Sequence, residues 1–269
     1  MRSLSKANTM EALISALPSH KENGYFIKFA LFTISFMLTN AENQEKFVKE
    51  LEGIEFLFKN IGTYGRVSGT SELAQGAIEG VMNLCSNEAY CEAISKHPNC
   101  VDPILEVMDT NNDSEKIMRP GLFILQVILR YPDNTTLEQK KLMSDFLFTQ
   151  LREKTNHYPG FLVGVLDVMT RLAEVSLGSI GLNDAEGRAL AGMCSQYKND
   201  VDFVCALFKF CGVIGANSLT FLPVSSLSRI SLFFFFFFFL SFLLLLFKII
   251  LLFLLQIKTE IAWLDIRLS

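Results

Sequence analysis

Histidine and tryptophan are scarce in this chain, three and one respectively, and no two cysteines have CxxC spacing. No histidine stands near enough to Cys85, Cys91, Cys100, Cys194, Cys205 or Cys211 to complete a zinc ligand set. These thiols read instead as small hydrophobes in helix cores, which points to a reducing compartment, cytoplasmic or nuclear. A basic excess is also missing, since 24 Lys and Arg against 28 Asp and Glu leave a net charge of −4. Duplex binding normally needs a basic face, so nucleic acid is not an expected partner. The first 24 residues hold no apolar run of signal-peptide length. The glycosylation-like triplet Asn134-Thr135-Thr136 is therefore expected to be only a polar turn.

Catalytic constellations are absent as well. His20, His97 and His157 sit in turn-like segments beside Ser19, Pro98 and Tyr158. None joins a Ser or Cys and an acid in a nucleophile motif. The stretch GTYGRVSGTS (62–71) has glycines but lacks the Lys-Ser/Thr and the preceding strand of a phosphate loop. Asp109 and Asp113 show no metal-binding spacing. The expectation is a chain that is not an enzyme, with no catalytic residues, no cofactor and no metal. The segment NTTLEQKK (134–141) reads as a helix start, with Thr135 or Thr136 as cap and a Glu or Gln behind it.

What is present is a repeat. Residues 30–61 align without a gap on residues 77–108, at an offset of 47. Ala30 meets Ala77, Ile34 meets Val81, Asn40 meets Asn87, Phe47 meets Ile94 and Ile54 meets Val101. Apolar positions agree while most polar ones differ, as a shared packing pattern requires. Each unit reads as two helices. The second begins near Phe47 or Ile94 and is interrupted by a kink signal, Leu51-Glu52-Gly53 or Lys96-His97-Pro98. Weaker copies open at Gly121, near Phe161 and at Cys205, and no long alternating pattern of a strand precedes the C-terminal tail.

The second unit resembles an armadillo repeat, whose pattern runs A-x-x-A-L-x-N-L, a polar break, then G-[AG]-[IL]-x-x-L. Ala77, Val81, Asn83 and Leu84 match its first half. In the first unit Gly53-Ile54 and Leu57-Phe58 match its second half. Gly80 departs from the second Ala, and Cys100 replaces the equivalent of Gly53. The resemblance implies an all-α, right-handed superhelix of armadillo-like or HEAT-like repeats. It implies a concave face, lined by the last helix of each unit, that holds a protein or peptide partner. Asn83 matches the asparagine with which some members clamp a bound peptide backbone. Its equivalents here are Phe36, Val127, Arg171 and Gly212, and Glu79 stands where an aromatic neighbour would be. An importin-like ladder of Trp and Asn therefore does not fit, and Asn83 and Arg171 are the two candidates for a partner groove.

Three segments are expected: a helical lead-in (1–24), about four and a half repeats (25–222) and an apolar low-complexity tail (223–269). The tail holds seven consecutive Phe, 233–239. From Phe221 to Leu255 nearly every residue can be written with a pyrimidine in mid-codon, Arg229 and Lys248 excepted. Two readings stand. One is read-through of non-coding sequence fused to a truncated repeat scaffold. The other is a tail-anchor span at about 230–255, since Ile230 to Phe247 is eighteen residues without a charge. The expected function is a non-catalytic protein–protein interaction scaffold. The alternative is a tail-anchored adaptor holding the same solenoid on a membrane, which is a partner only if the tail is genuine.

Overall fold

The computed structural model describes residues 8–66, 71–153, 159–176, 180 and 184–218. The chain divides into two units, Met1–Val213 and Ile214–Ser269. The described residues lie in the first, together with the last turn of its final helix. The tail assigned to 223–269, and the span within it, fall outside the described residues.

Among the described residues the protein is all-α, with twelve helices, two 3-10 turns and no strand. A short α1 (Thr9–Ala16) leads through a 3-10 turn (Leu17–His20) into α2 (Gly24–Met37), α3 (Ala41–Glu50) and α4 (Gly53–Gly65). The next unit repeats that order as α5 (Ser71–Leu84), α6 (Glu88–Ser95) and α7 (Asp102–Thr110). Then come α8 (Glu115–Ile128), a 3-10 turn (Pro132–Asn134), α9 (Leu137–Glu153), α10 (Pro159–Val175), α11 (Asp184–Gln196) and α12 (Val201–Ser218). No single helix among them is long and apolar enough to cross a membrane.

Each of the first two units thus has three helices rather than two. The middle helix starts at the polar break itself, not near Phe47 or Ile94. The cause is capping: the Asn40 side chain accepts from the Glu42 and Asn43 N–H groups at 3.0 and 3.3 Å. Asn87 does the same for Ala89 at 3.1 Å. Behind α3 the chain turns through Glu52 in the left-handed region (φ 49°) before α4 begins. The capping box at Thr136 forms reciprocally. Its Oγ1 accepts from Gln139 N–H at 3.1 Å, and its own N–H donates to Gln139 Oε1 at 2.9 Å.

The offset of 47 carries hydrogen bonds as well as burial. Besides Asn40 and Asn87, Thr39 and Ser86 both donate their hydroxyl three residues back, to Phe36 O (2.8 Å) and Asn83 O (2.7 Å). Gln44 Nε2 donates to Leu38 O at 2.8 Å, and its equivalent Cys91 Sγ donates to Cys85 O at 3.3 Å.

Helix α2 packs on α5, α5 on α8 and α8 on α10. A second layer runs α4 on α7, α7 on α9 and α9 on α11, with α4 also against α5 and α9 against α10. This is a helix-pair packing consistent with a helical-repeat arrangement. Ile34, Phe58, Ile61, Ile78, Leu84, Ile104, Leu125 and Leu166 are buried among these helices. Each such side chain contributes about 1.5–3 kcal/mol against being left in water.

The departures from the repeat pattern follow from packing. An added Cβ at Gly53 would lie 2.1 Å from Phe47 Cδ1. The second unit holds the smaller Ile94 at that ring's position and Cys100 in place of the glycine, both buried. Bulk given up at one site is taken up at the other. At Gly80 an added Cβ would come within 2.9 Å of Leu57 Cδ2. Glycine there lets α4 lay Leu57 against α5.

Candidate functional site

Helices α2, α5, α8 and α10 stand side by side, so equivalent register positions of successive units share one face. Its composition changes from helix to helix. On α2 it presents Tyr25, Phe29 and Phe36, exposed by 80%, 64% and 54%, with Phe32 half-buried between them. The spacing of 25, 29, 32 and 36 keeps these rings on one side of the helix. The opposite side, with Ile27, Ala30, Leu31 and Ile34, is buried.

On α5 the positions equivalent to Tyr25, Phe32 and Phe36 hold Glu72, Glu79 and Asn83, with Gln75 at the equivalent of Lys28, while Gly76, the equivalent of Phe29, is buried against α2. The Lys28 ammonium of α2 bonds to Glu72 and holds its carboxyl below the usual range by hydrogen bond and charge. Gln75 Nε2 donates to Glu79 Oε1 at 2.6 Å. On α8 the row turns basic and aromatic, with Lys116 and Arg119 exposed and Phe123 partly so. On α10 Asp167 and Arg171 are half-buried. A depression of about 830 Å³ opens at the aromatic end, where Tyr25, Lys28, Glu22 and His20 face Glu72 and Leu73. A second, of about 400 Å³, lies between α10 and α12 and is lined by Asp167, Asp200, Asp202 and Lys209.

The two residues singled out by sequence are placed apart. Asn83, at the end of α5, turns its amide towards α2, where Nδ2 donates to Ser35 O at 2.9 Å and Ser35 Oγ at 3.2 Å. Arg171, on α10, pairs with Glu174 of its own helix at 2.9 Å. Helix α8 stands between their helices. Around Asn83 the seam is tied a second time: buried Gln44 Nε2 reaches Asn83 O at 3.0 Å and Ser86 Oγ at 3.1 Å.

The aromatic stripe on α2 went unnoticed in the sequence, where its phenylalanines read as core. Its signal was there: α2 is apolar on nearly every side, with Lys28 its one charge. A helix of that kind is either fully enclosed or has two apolar faces in use.

The histidines carry structural contacts. His97, between α6 and α7, stacks on Phe58 with ring centroids 4.6 Å apart. Its Nε2 meets Glu55 Oε2 at 2.7 Å, while Nδ1 accepts from Asn99 N–H at 3.2 Å. The ring is therefore held with its proton on Nε2, between a backbone donor and a carboxylate. His20 packs against Phe26 at 4.4 Å, and His157 lies outside the described residues. Cys85, Cys91 and Cys100 are buried free thiols. Burial pushes Cys100 up to about 11 and Cys85 higher still. Among the described residues no group of three or more His, Cys, Asp and Glu is arranged to hold a metal ion.

Compared with known proteins, the chain matches no family model, no curated protein and no solved structure.

Proposed function

We propose that this chain is a non-catalytic protein–protein interaction scaffold, an armadillo-like right-handed solenoid whose partner face is the α2–α5–α8–α10 layer, built from the first helix of each unit and not, as the resemblance implied, from the last. The observation that carries the reading is the exposure of Tyr25, Phe29 and Phe36 on that layer. Monomeric surfaces seldom keep several large rings contiguous in water unless they are used. The repeat supports it: the buried positions and hydrogen bonds shared at an offset of 47 make each unit a copy that stacks on the last, and stacked units build extended binding faces. Asn83 acts in this reading mainly as a tie between units, and Arg171 remains a candidate contact at the far end of the face.

A photo-crosslinking residue in place of Phe29 tests the proposal in source cells. It is expected to capture a defined protein, whereas the same residue in place of exposed Leu142 on α9, in the other layer, is not. Equal capture from both positions, or none from either, refutes the assignment of the face.

A further inference from the structure

Three residues of α5 that meet α2 have telling equivalents on α2 itself. Glu72 takes the Lys28 ammonium, Gly76 lies against the chain at Leu31 and Phe32, and Asn83 bonds to Ser35. Shifted back by 47, they are Tyr25, Phe29 and Phe36, the exposed rings. The same side is covered further along the layer. The equivalents of Phe29 on α8 and α10 are Pro120, which is buried, and Gly164, where an added Cβ would lie 3.2 Å from Leu122 of α8. This side of α5 and of α10 is thus turned to the first helix before it. On α2 it stays exposed.

A counterpart of a preceding last helix is already in place. Residues 9–16 of α1, shifted by 47, are 56–63 within α4. Met10 falls on Leu57, and both are buried. Helix α1 packs on α2, and α4 on α5. What the described residues lack ahead of α2 is a first helix.

We infer that this edge takes one amphipathic helix from another protein, laid along α2 where a preceding first helix would lie. Lys28 meets Glu72, Leu31 meets Gly76 and Ser35 meets Asn83, so neighbouring first helices run parallel. The added helix runs parallel to α2 in the same way. It faces the edge through positions i, i+3, i+4 and i+7, the spacing of Lys28, Leu31, Phe32 and Ser35. Tyr25 and Phe36 stand where α5 has Glu72 and Asn83, so i and i+7 are apolar. Phe29 stands where α5 has glycine, so i+3 and i+4 are small and leave a hole for the ring. This inference rests on the α2–α5–α8–α10 layer being the partner face. It adds that the partner extends that layer at its α2 edge and does not cross it.

Three arguments select this occupant. The first is polarity. A repeat that closes an array shows a polar outer face, whereas this one shows rings. The second is area. At the exposures of Tyr25, Phe29 and Phe36, with about 150–250 Å² per aromatic side chain, the stripe offers roughly 400 Å². A stable interface between two folded copies needs about 800 Å² from each, and pairing two stripes would set ring against ring with no hole for Phe29. The third concerns membranes. Anionic headgroups draw in basic segments, and here the stripe is bordered by Glu22 and Glu72.

The test uses the full chain immobilised on a sensor surface and three synthetic eighteen-residue peptides, held helical by lactam bridges on their polar side. One has Leu at i and i+7 with Ala at i+3 and i+4. The second has Phe at i+3 and i+4, and the third has Ser at i and i+7. The first is expected to bind at least tenfold tighter than either of the others. Phe29→Ala moves the hole from the peptide to the protein and is expected to reverse the preference between the first and second. Its fold is checked by circular dichroism. A photoreactive group in the first turn of the first peptide is expected to label the segment around Tyr25, and one in the last turn Leu38 to Asn40. That readout needs no variant. Equal binding of the three peptides, a preference that Phe29→Ala leaves unchanged, or exchanged labels overturns the inference. Binding of no peptide, where Phe29 still crosslinks a protein, overturns it and leaves the partner face standing. Binding of no peptide where Phe29 crosslinks nothing overturns both readings. A dimer, or capture on phosphatidylserine vesicles, that disappears in Phe29→Ala gives the stripe to a second copy or to lipid and overturns the helix.

Discussion

Exchanging Phe47 and Gly53 for their equivalents in the second unit tests the repeat at its tightest point. The Phe47 ring is fully buried and packs edge-on against Phe56, with centroids 6.1 Å apart and planes at 88°. An added Cβ at residue 53 falls 2.1, 2.3 and 2.5 Å from three atoms of that ring. Gly53→Cys therefore overpacks a ring that has nowhere to move. Such strain costs about 1–3 kcal/mol, offset in part by up to about 1 kcal/mol from removing glycine from a helix. The net expectation is a loss of about 1–2 kcal/mol. In a domain of this size that lowers Tm by about 2–8 °C. Phe47→Ile alone vacates part of the ring's volume and costs about 1–2 kcal/mol by the transfer and cavity terms. The double variant imports the pairing already present as Ile94 and Cys100. It is expected to lie within about 1 kcal/mol of the parent, a coupling of 1 kcal/mol or more between contacting sites. Urea unfolding followed by circular dichroism on all four proteins measures it. Losses that simply add would refute the claim that the two sites exchange volume, and with it the packing equivalence of the two units.

Two further expectations concern the seam and the thiols. Gln44→Leu leaves Leu38 O without its buried donor, while Asn83 O keeps the Ser86 hydroxyl, and is expected to destabilise the chain by about 1–3 kcal/mol, read as a lower urea midpoint. Cys205, the exposed thiol, is expected to react first with an aromatic disulfide reagent at pH 8, while Cys85, Cys91 and Cys100 stay silent until unfolding. Cys100 rises from 9.0 to about 11 on burial, so the unfolded chain releases that proton first. Stability is expected to fall as pH climbs from about 9 to about 11 and to be insensitive to this group below that window. A Cys100→Ala chain that loses stability as steeply over the same window would contradict the assignment.

The helical repeat was legible because burial repeats in the sequence: Ala30 with Ala77, Ile34 with Val81, Leu57 with Ile104. The third helix of each unit was not, because hydrophobic periodicity marks faces and not breaks. The break is made by the Asn40 and Asn87 side chains and by the backbone of Glu52, which leave no periodic trace. Gly80 and Cys100 looked like departures until their neighbours were known: Leu57 needs the Cβ missing at Gly80, and Cys100 stands beside an Ile94 smaller than the Phe47 that requires glycine at 53. Asn83 was noticed for its position in a motif. Its amide meets Ser35, 48 residues earlier, a contact that no local pattern encodes. The aromatic stripe was hidden for a simpler reason. Phenylalanine at helical spacing signals a packed face, and only the placement of α5 shows which face of α2 is covered.

The seam between α2 and α5 is fastened along its length. Lys28 holds Glu72 near one end and Asn83 holds Ser35 near the other. Between them Gly76 lets the two backbones approach so closely that a Cβ there would lie 2.9 Å from Phe32 N. Two helices held by the Asn83 tie and the close approach at Gly76 can neither slide nor pivot against each other without breaking a contact, and the exposed Lys28–Glu72 pair adds little to that. The rings on α2 and the carboxylates on α5 are therefore carried on one stiff plate, at a spacing set before any partner arrives. A binder of this kind gives up little backbone freedom when it engages. More of the contact energy then appears as affinity, and the conformational cost of docking falls on the partner.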